Sequence, residues 1–345
     1  MIYWLSKEDF LRPPKRVCAD IRDAFSHIRP MSYESLFYSR AVPAGHYIFT
    51  DFDRLSVYEL ESLIALVRTI RKVSPDSIIL NHPGRVLERV PLLAKLYELK
   101  LNDFSVTRVD AGEKPSDYPV FLRAEDGCIL PYTQLIHSGE EFEQALAGLR
   151  ERGLSVKRKI AVRFCSQPDE EGWYRKYGAF IINGTIIPGH IQRNRDWIVK
   201  SNGADYDERF SSEELDWVMS NPHEKELSHI FKVANIDFGR IDYTLVDGKI
   251  QTFEINTNPT YPRLRGIRDR RRDGRQTRRA IIRTRVVEAL GKIEAVNVPN
   301  KTIRFDLPQP ILHKPTMPRK SIAGRVFYSL YWACSRLVST TSLRG

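Results

Sequence analysis

The sequence predicts a mixed α/β fold with α+β character, and three observations predict it. A strand–helix–strand order runs from Tyr47 to Leu80, as parallel sheets require. Two later stretches read as antiparallel hairpins, turning at Asn183-Gly184 and at Asp247-Gly248. Helices with apolar residues at three- and four-residue spacing fill the intervals.

Residues 1 to about 45 are mixed in character. Glu8 to Phe25 reads as helical and broken at Pro13-Pro14. Tyr47-Ile48-Phe49-Thr50 is a strand. Leu55 to Val73 is a helix with Val57, Leu60, Leu63, Ile64, Val67 and Ile70 at three- and four-residue spacing, and Pro75 stops it. Ser77 to Leu80 is the next strand. Arg85 to Lys100 is helical, Phe104 to Thr107 extended, and Tyr118 to Arg123 a strand that ends in a cation. Ser138 caps a helix to Arg150, with Glu140 and Glu141 at its positive end. Lys159 to Cys165 is a strand. The hairpin from Tyr174 to Pro188 then gathers Arg175, Lys176, His190 and Arg193 at one end. Like charges so gathered repel unless an anion joins them. Ser211 to Val218 and Pro222 to Ala234 are helices.

The second hairpin carries the chemistry. Tyr243 to Val246 and Ile250 to Ile255 are β-branched and aromatic runs around Asp247-Gly248. Glu254 and Asn256 are two apart and share a face. Asp242 comes opposite that end, so three oxygen donors converge, as a hard cation such as Mg²⁺ wants. Arg240 lies two residues before Asp242, on the same face, placed to clamp phosphate. The competing reading is a solvated hairpin with ordinary surface acids.

Gly239-Arg240-Ile241-Asp242, then a hairpin and Glu254-Ile255-Asn256-Thr257-Asn258-Pro259, resembles the metal-binding signature of the ATP-grasp superfamily. The R-x-D element is similar to that of D-alanine–D-alanine ligases. The E-x-N element is similar to that ligase and to glutamate ligases acting on a ribosomal protein. The resemblance spans roughly Asn81 to Pro262. It implies two α+β subdomains gripping ATP, preceded by a small parallel α/β domain. The divisions would be 1–81 for that first domain, 82–165 for the lid subdomain, 166–300 for the metal-bearing subdomain and 301–345 for a tail. It implies Asp242, Glu254 and Asn256 as ligands of Mg²⁺ or Mn²⁺ on ATP, and Arg240 on the transferring phosphoryl group. Arg89, Arg123, Lys176, His190 and Arg193 become candidates for nucleotide phosphate, Arg89 against the reading of a plain surface arginine. Arg123 stands where the superfamily has Lys, and Ala124 to Cys128 carries one glycine where a glycine-rich loop is usual. Asp169, Glu170 or Glu171 could meet ribose, or form a solvated acidic turn.

Composition sets the remaining bounds. The chain has 345 residues, 42% hydrophobic and 28% charged, ordinary for a globular protein. Cys18, Cys128, Cys165 and Cys334 form no CxxC, which favours a reducing, cytoplasmic setting over disulfides or zinc. No signal peptide and no membrane span is expected. The net charge of +11 is concentrated: Arg263 to Gly345 has 20 Lys and Arg against 5 Asp and Glu. Arg263 to Arg285 alone has 11 arginines, which could bind an anionic acceptor, nucleic acid or an acidic partner. Arg263 and Arg265 follow the metal signature within roughly 25 Å of Asn256, at about 3.5 Å per residue. They are candidates for the anionic part of a substrate, and arginines from Arg270 on for solvent or a partner. Leu307 to Pro318 reads as a linker. Ser321 to Val338 reads as a basic amphipathic helix that docks on the core or lies on a membrane surface.

The sequence reading is therefore an ATP-dependent carboxylate–amine ligase. Its substrates would be small-molecule or peptide acids and amines, joined through an acylphosphate. The alternative is a non-catalytic relic that binds nucleotide or polyanion.

Overall fold

The computed structural model describes residues 1–127, 130–200, 207–264 and 274–308, with Ile322 and Val326. The fold is mixed α/β. The chain divides into two compact units, Met1–Gly84 with the chain from Gly291 onward, and Arg85–Leu290.

The first unit is built on strands β1 (Ile2–Ser6), β2 (Ile28–Ser32), β3 (Ala41–Pro43), β4 (His46–Phe49) and β5 (Ile79–Leu80). Four of them form a sheet in the order β2-β1-β4-β5, parallel throughout. β1 and β4 are buried at every residue, which is why they read as unbroken runs, IYWLS and HYIF, rather than alternating ones. The helices are α1 (Arg12–Ile21), α2 (Tyr33–Ser39) and α3 (Val57–Val73). Pro13 and Pro14 do not break α1; they open it. The first turn of a helix has no acceptors for its N–H groups, so proline loses nothing there. A strand at Thr302–Arg304 pairs antiparallel with β3. Ile303, Phe305 and Leu307 alternate along it and are buried. Residues 302–304, expected as the head of a tail, thus belong to the sheet structure of the first unit.

The second unit opens with α4 (Arg89–Glu98). Strands β6 (Val106–Arg108), β7 (Val120–Ala124) and β8 (Lys159–Arg163) form an antiparallel sheet in the order β6-β8-β7. It packs on α5 (Gly139–Glu151) through Leu122, Ala161, Phe142 and Leu149. A second antiparallel sheet follows, in the order β10-β9-β11-β12. Its strands are β9 (Tyr174–Ile182), β10 (Thr185–Asn194), β11 (Phe238–Val246) and β12 (Lys249–Asn256), with α6 (Glu208–Ser220) and α7 (Glu224–Ala234) between the hairpins. Both turns have positive φ at both central residues: 48° and 81° at Asn183-Gly184, 50° and 76° at Asp247-Gly248. That is the geometry for which Asn-Gly and Asp-Gly are favoured. α8 (Gly274–Glu294) runs from the second unit into the first.

α3 carries a full capping box, with Ser56 Oγ accepting from the Glu59 N–H and the Glu59 carboxylate accepting from the Ser56 N–H. Ser56→Ala removes one of these bonds and should cost about 1 kcal/mol, read from the midpoint shift in chemical denaturation at unchanged slope.

Candidate functional site

The site is built on the sheet β10-β9-β11-β12. Pairing outward from the Asp247-Gly248 turn brings Leu245 opposite Ile250 and Tyr243 opposite Thr252. A regular hairpin would next place Phe253 opposite Asp242. The register instead shifts by one residue between Asp242 and Tyr243, so Glu254 faces Asp242 and Asn256 faces Arg240. This is a β-bulge at Phe253, and it re-aims the strand end. β9 then pairs Gly178 with Asp242 and Phe180 with Arg240. A second bulge, at Gly189, sets His190 opposite Gly178. One row thus crosses four strands: His190, Gly178, Asp242, Glu254. Facing residues share a side of the sheet, so all these side chains point one way. The His190 ring lies over Gly178, where a Cβ would come within 2.5 Å of it. Only glycine leaves that space.

Two desolvated carboxylates face each other here, and each is held by cations. The Arg240 guanidinium donates to both Asp242 oxygens, at 2.6 and 3.1 Å, and Lys176 Nζ is 3.5 Å from Oδ2. Glu254 Oε2 accepts from Arg89 and, at 3.3 Å, from Arg123. Burial raises the Asp242 pKa, but Arg240 and Lys176 outweigh it and hold the carboxyl down at about 2. Burial likewise opposes ionisation of Glu254, and Arg89 and Arg123 reverse the balance, so its pKa lies below the usual carboxylate range. Burial, with Arg240 and Lys176 adding to it, lowers the His190 pKa to about 3, so its ring is neutral at physiological pH. Four cations against two carboxylates leave an excess positive charge. Such an excess attracts an anion.

These groups line a cavity of about 640 Å³, the size of a small-molecule site. Arg89, Arg123, Lys176, His190, Arg240, Asp242 and Glu254 all reach it. Its other walls hold the apolar and aromatic side chains of Phe104, Phe121, Val162, Phe164 and Trp197, with Arg163, Arg175, Gln192 and Lys200 among them. The ring of Trp197 packs 5.1 Å from Phe121 and 5.6 Å from Phe164. Sequence reasoning missed Trp197, Phe253 and Tyr261 as cavity residues. Tyr261, stacked 4.1 Å from Phe180, follows the metal signature by two residues and could have been suspected from that.

Other candidates lie elsewhere. Arg193 does not line the cavity. It sits one residue out of phase with His190 and Gln192, and strand alternation turns it to the opposite face. There it pairs with Asp207 at 2.6 Å and stacks on Trp173 and Phe210. Arg175, one residue from Lys176, pairs with Asp169 at 2.7 Å and with Glu213. Asp169 also accepts from the backbone of Glu171 and Trp173, ordering the acidic turn. Arg89 is no solvated surface arginine, since its side chain is 11% exposed. Arg263 is exposed and outside the cavity lining. Arg265, Arg270, Cys128, Cys334 and, apart from Ile322 and Val326, the segment 321–338 lie outside the described residues.

Arginines expected to face solvent or a partner instead dock α8. Arg278 pairs with Glu214 of α6, which is 1% exposed and also accepts from the Ile191 N–H at 2.9 Å. Arg285, two turns on, donates to the carbonyls of Val218 at 2.6 Å and Met219 at 3.1 Å. An acid buried against an edge strand needs a cation, and α8 supplies it. Among the described residues no helix is long and apolar enough to cross a membrane.

No group of three or more His, Cys, Asp and Glu side chains gathers as a metal cluster among the described residues. Asp242 and Glu254 are a facing carboxylate pair, with the Asn256 amide one position along the same face. Such an all-oxygen set fits a hard divalent cation that takes its remaining ligands from water and phosphate.

No protein-family model matches the chain. No curated protein matches it either. Among solved structures the chain is similar to ATP-grasp ligases. A D-alanine–D-alanine ligase from Bacillus anthracis, complexed with ATP, aligns at 12% identity over 86% of this chain and 99% of that one, with a TM-score of 0.48. The macrocyclase MdnC from Microcystis aeruginosa, bound with precursor peptide MdnA, aligns at 10% identity over 86% and 99%, with a TM-score of 0.46. The ATP-grasp ligase PsnB, complexed with a precursor variant, Mg and ADP, aligns at 10% identity over 82% and 97%, with a TM-score of 0.45.

Asp242 makes an acid-stability prediction. Its folded pKa, about 2, is below the unfolded value, so its contribution is present above about pH 4 and is lost as pH falls toward 2. The loss should be about 2 kcal/mol. Urea titrations of wild type between pH 5 and pH 2 should carry that slope, and Asp242→Asn should flatten it by the same amount. An unchanged slope in the variant would mean that Asp242 is not held ionised by Arg240.

Proposed function

We propose that this chain is an ATP-dependent carboxylate–amine ligase of the ATP-grasp kind. The observation that carries the reading is the bulged hairpin row, in which Asp242 faces Glu254 beside Arg240, Lys176 and Arg123, in a cavity that the packed rings of Phe121, Phe164 and Trp197 also line. That combination suits a nucleotide: aromatic rings for a base and cations for phosphates.

The reaction has two displacements. A substrate carboxylate oxygen attacks the γ-phosphorus of ATP, the bond to the β-phosphate oxygen breaks, and ADP leaves. An amine then attacks the acyl carbon of the acylphosphate, its bond to phosphate oxygen breaks, and an amide, phosphate and a proton result. Both steps depend on positioning and charge neutralisation more than on a nucleophilic side chain. Arg123 and Lys176 meet the ATP phosphates, and Arg240, beside Asp242, sets its charge toward the transferring phosphoryl group. The neutral His190 ring closes the far end of the row without adding charge. Asp242, Glu254 and Asn256 would hold Mg²⁺, or Mn²⁺ in its place, which would supply charge neutralisation for the phosphates. The acid and amine are small molecules or peptides. The described cysteines, Cys18 and Cys165, are free thiols, which suits a cytoplasmic enzyme.

A second reading, a nucleotide-binding protein without ligase activity, is favoured by one feature: Glu254 is engaged by two arginines, Arg89 and Arg123. Turnover separates the two. Purified protein given Mg-ATP, an amine and pools of candidate acids should release ADP in an acid-dependent way, and Glu254→Ala should lower that rate at least about 100-fold. Nucleotide binding in wild type with no acid-dependent ADP release across broad pools would favour the binding protein.

A further inference from the structure

Arg89 is the first residue of α4, yet it contributes little to that helix. Its guanidinium is spent on another part of the unit. Nη1 donates to the carbonyls of Ala124 at 3.3 Å and Glu125 at 2.5 Å. Nη2 donates to the Gly127 carbonyl at 3.0 Å and to Glu254 Oε2. A guanidinium has five N–H bonds. Four are engaged here, and the fifth, on Nε, is buried without a hydrogen-bond partner. No exposed donor is left over for a phosphate oxygen.

Arg123 differs. Its contacts to the Gly127 carbonyl, at 3.5 Å, and to Glu254, at 3.3 Å, are long and come from the same nitrogen. Arg89 is held by four acceptors at once, three backbone carbonyls and the Glu254 carboxylate, and leaving would break all four bonds together.

The three carbonyls belong to the loop after β7. Residues 124–127 contain one glycine, Gly127, at φ +72°. The loop is pinned from two further sides: Arg108 pairs with the Glu125 carboxylate, and the Glu125 N–H donates to the Arg158 carbonyl at 2.9 Å. The loop therefore hangs on its carbonyls, and Arg89 ties those carbonyls to the carboxylate of β12.

We propose that Arg89 is a positioning residue: its single guanidinium locks the 124–127 loop and the Glu254 carboxylate into one rigid unit, and it contacts no phosphate itself. This rests on the reading of the cavity as a nucleotide site. In such a site the loop and Glu254 border the same phosphates, so one planar fork holds two walls in fixed register. Lysine cannot replace it, since an ammonium has three donors around a point and cannot span four acceptors in a plane.

The test compares Arg89→Lys, Arg89→Ala and Arg123→Ala. Hydrogen exchange of the backbone amides of residues 124–127 is measured without nucleotide. ADP affinity is measured by calorimetry with EDTA and again with Mg²⁺. Loop exchange should speed up about tenfold or more in Arg89→Ala and less in Arg89→Lys, while Arg123→Ala stays within twofold of wild type. Affinity for ADP in EDTA should stay within about twofold in Arg89→Lys, which keeps the charge, and fall about tenfold in Arg123→Ala. The gain in affinity that Mg²⁺ gives should shrink about tenfold in Arg89→Ala, as when an outer-shell partner of a metal ligand is lost, with partial rescue by Lys. Wild-type loop exchange in Arg89→Ala, or weakened metal-free ADP binding in Arg89→Lys, overturns the proposal. If wild type binds no ADP under either condition, the nucleotide reading fails. The exchange arm then decides the brace alone: faster loop exchange in Arg89→Lys upholds it and an unchanged rate refutes it.

Discussion

The rest of the site depends on one irregularity, the extra residue at Phe253. The Asp-Gly turn sets the register of the hairpin, and that register would pair Asp242 with a phenylalanine. The bulge pairs it with Glu254 instead. Like charges on facing residues repel; two unit charges ~5 Å apart at an effective dielectric of 20 cost about 3 kcal/mol. The Asp242 charge does raise the Glu254 pKa. The pair survives because each carboxylate has its own cations, Arg240 and Lys176 on one side, Arg89 and Arg123 on the other. Phe253, displaced by the bulge, turns its ring toward Phe104 and lines the same cavity.

The four cations are not equivalent. Arg89 is saturated by loop carbonyls and Glu254. Arg240 is bidentate on Asp242. Lys176 and Arg123 touch their carboxylates at the longer distances of 3.5 and 3.3 Å. A site so arranged keeps its carboxylates ionised. The neutral His190 fits this balance, because a fifth charge beside Arg240 and Lys176 would be expelled by both.

Charge density alone misleads about the arginine-rich segment. Arg278 and Arg285 are seven residues apart, so they fall on one face of α8, and that face docks on α6. Their partners are a buried glutamate and two helix C-terminal carbonyls. The carbonyls are orphan acceptors that any helix end leaves, and a guanidinium satisfies them well. The reasons for these arginines lie inside the unit, whatever the segment before Gly274 does.

Local sequence determined the elements whose signals are local. The two hairpins, the capped helices α3 and α5, and the parallel β4–α3–β5 unit follow from turn chemistry and periodicity acting over a few residues. The gathering of Arg240, Asp242 and Glu254 at one end of the hairpin was legible too, because the Asp-Gly turn folds the two strand ends together, but the bulge that makes Asp242 face Glu254 was not. Tertiary structure decided what depends on partners distant in sequence. Alternation sets Arg193 on the face opposite His190, but it could not say what Arg193 meets there, because Asp207, Trp173 and Phe210 lie outside any short window. The strand Thr302–Arg304 needs β3, some 260 residues earlier, before its three residues mean anything. Arg89 is the clearest case. At the start of a helix its sequence context says only that a cation stands near a dipole's positive end, where it is not wanted. Its reason is a carboxylate 165 residues away and a loop of carbonyls 35 to 38 away, brought together only by folding.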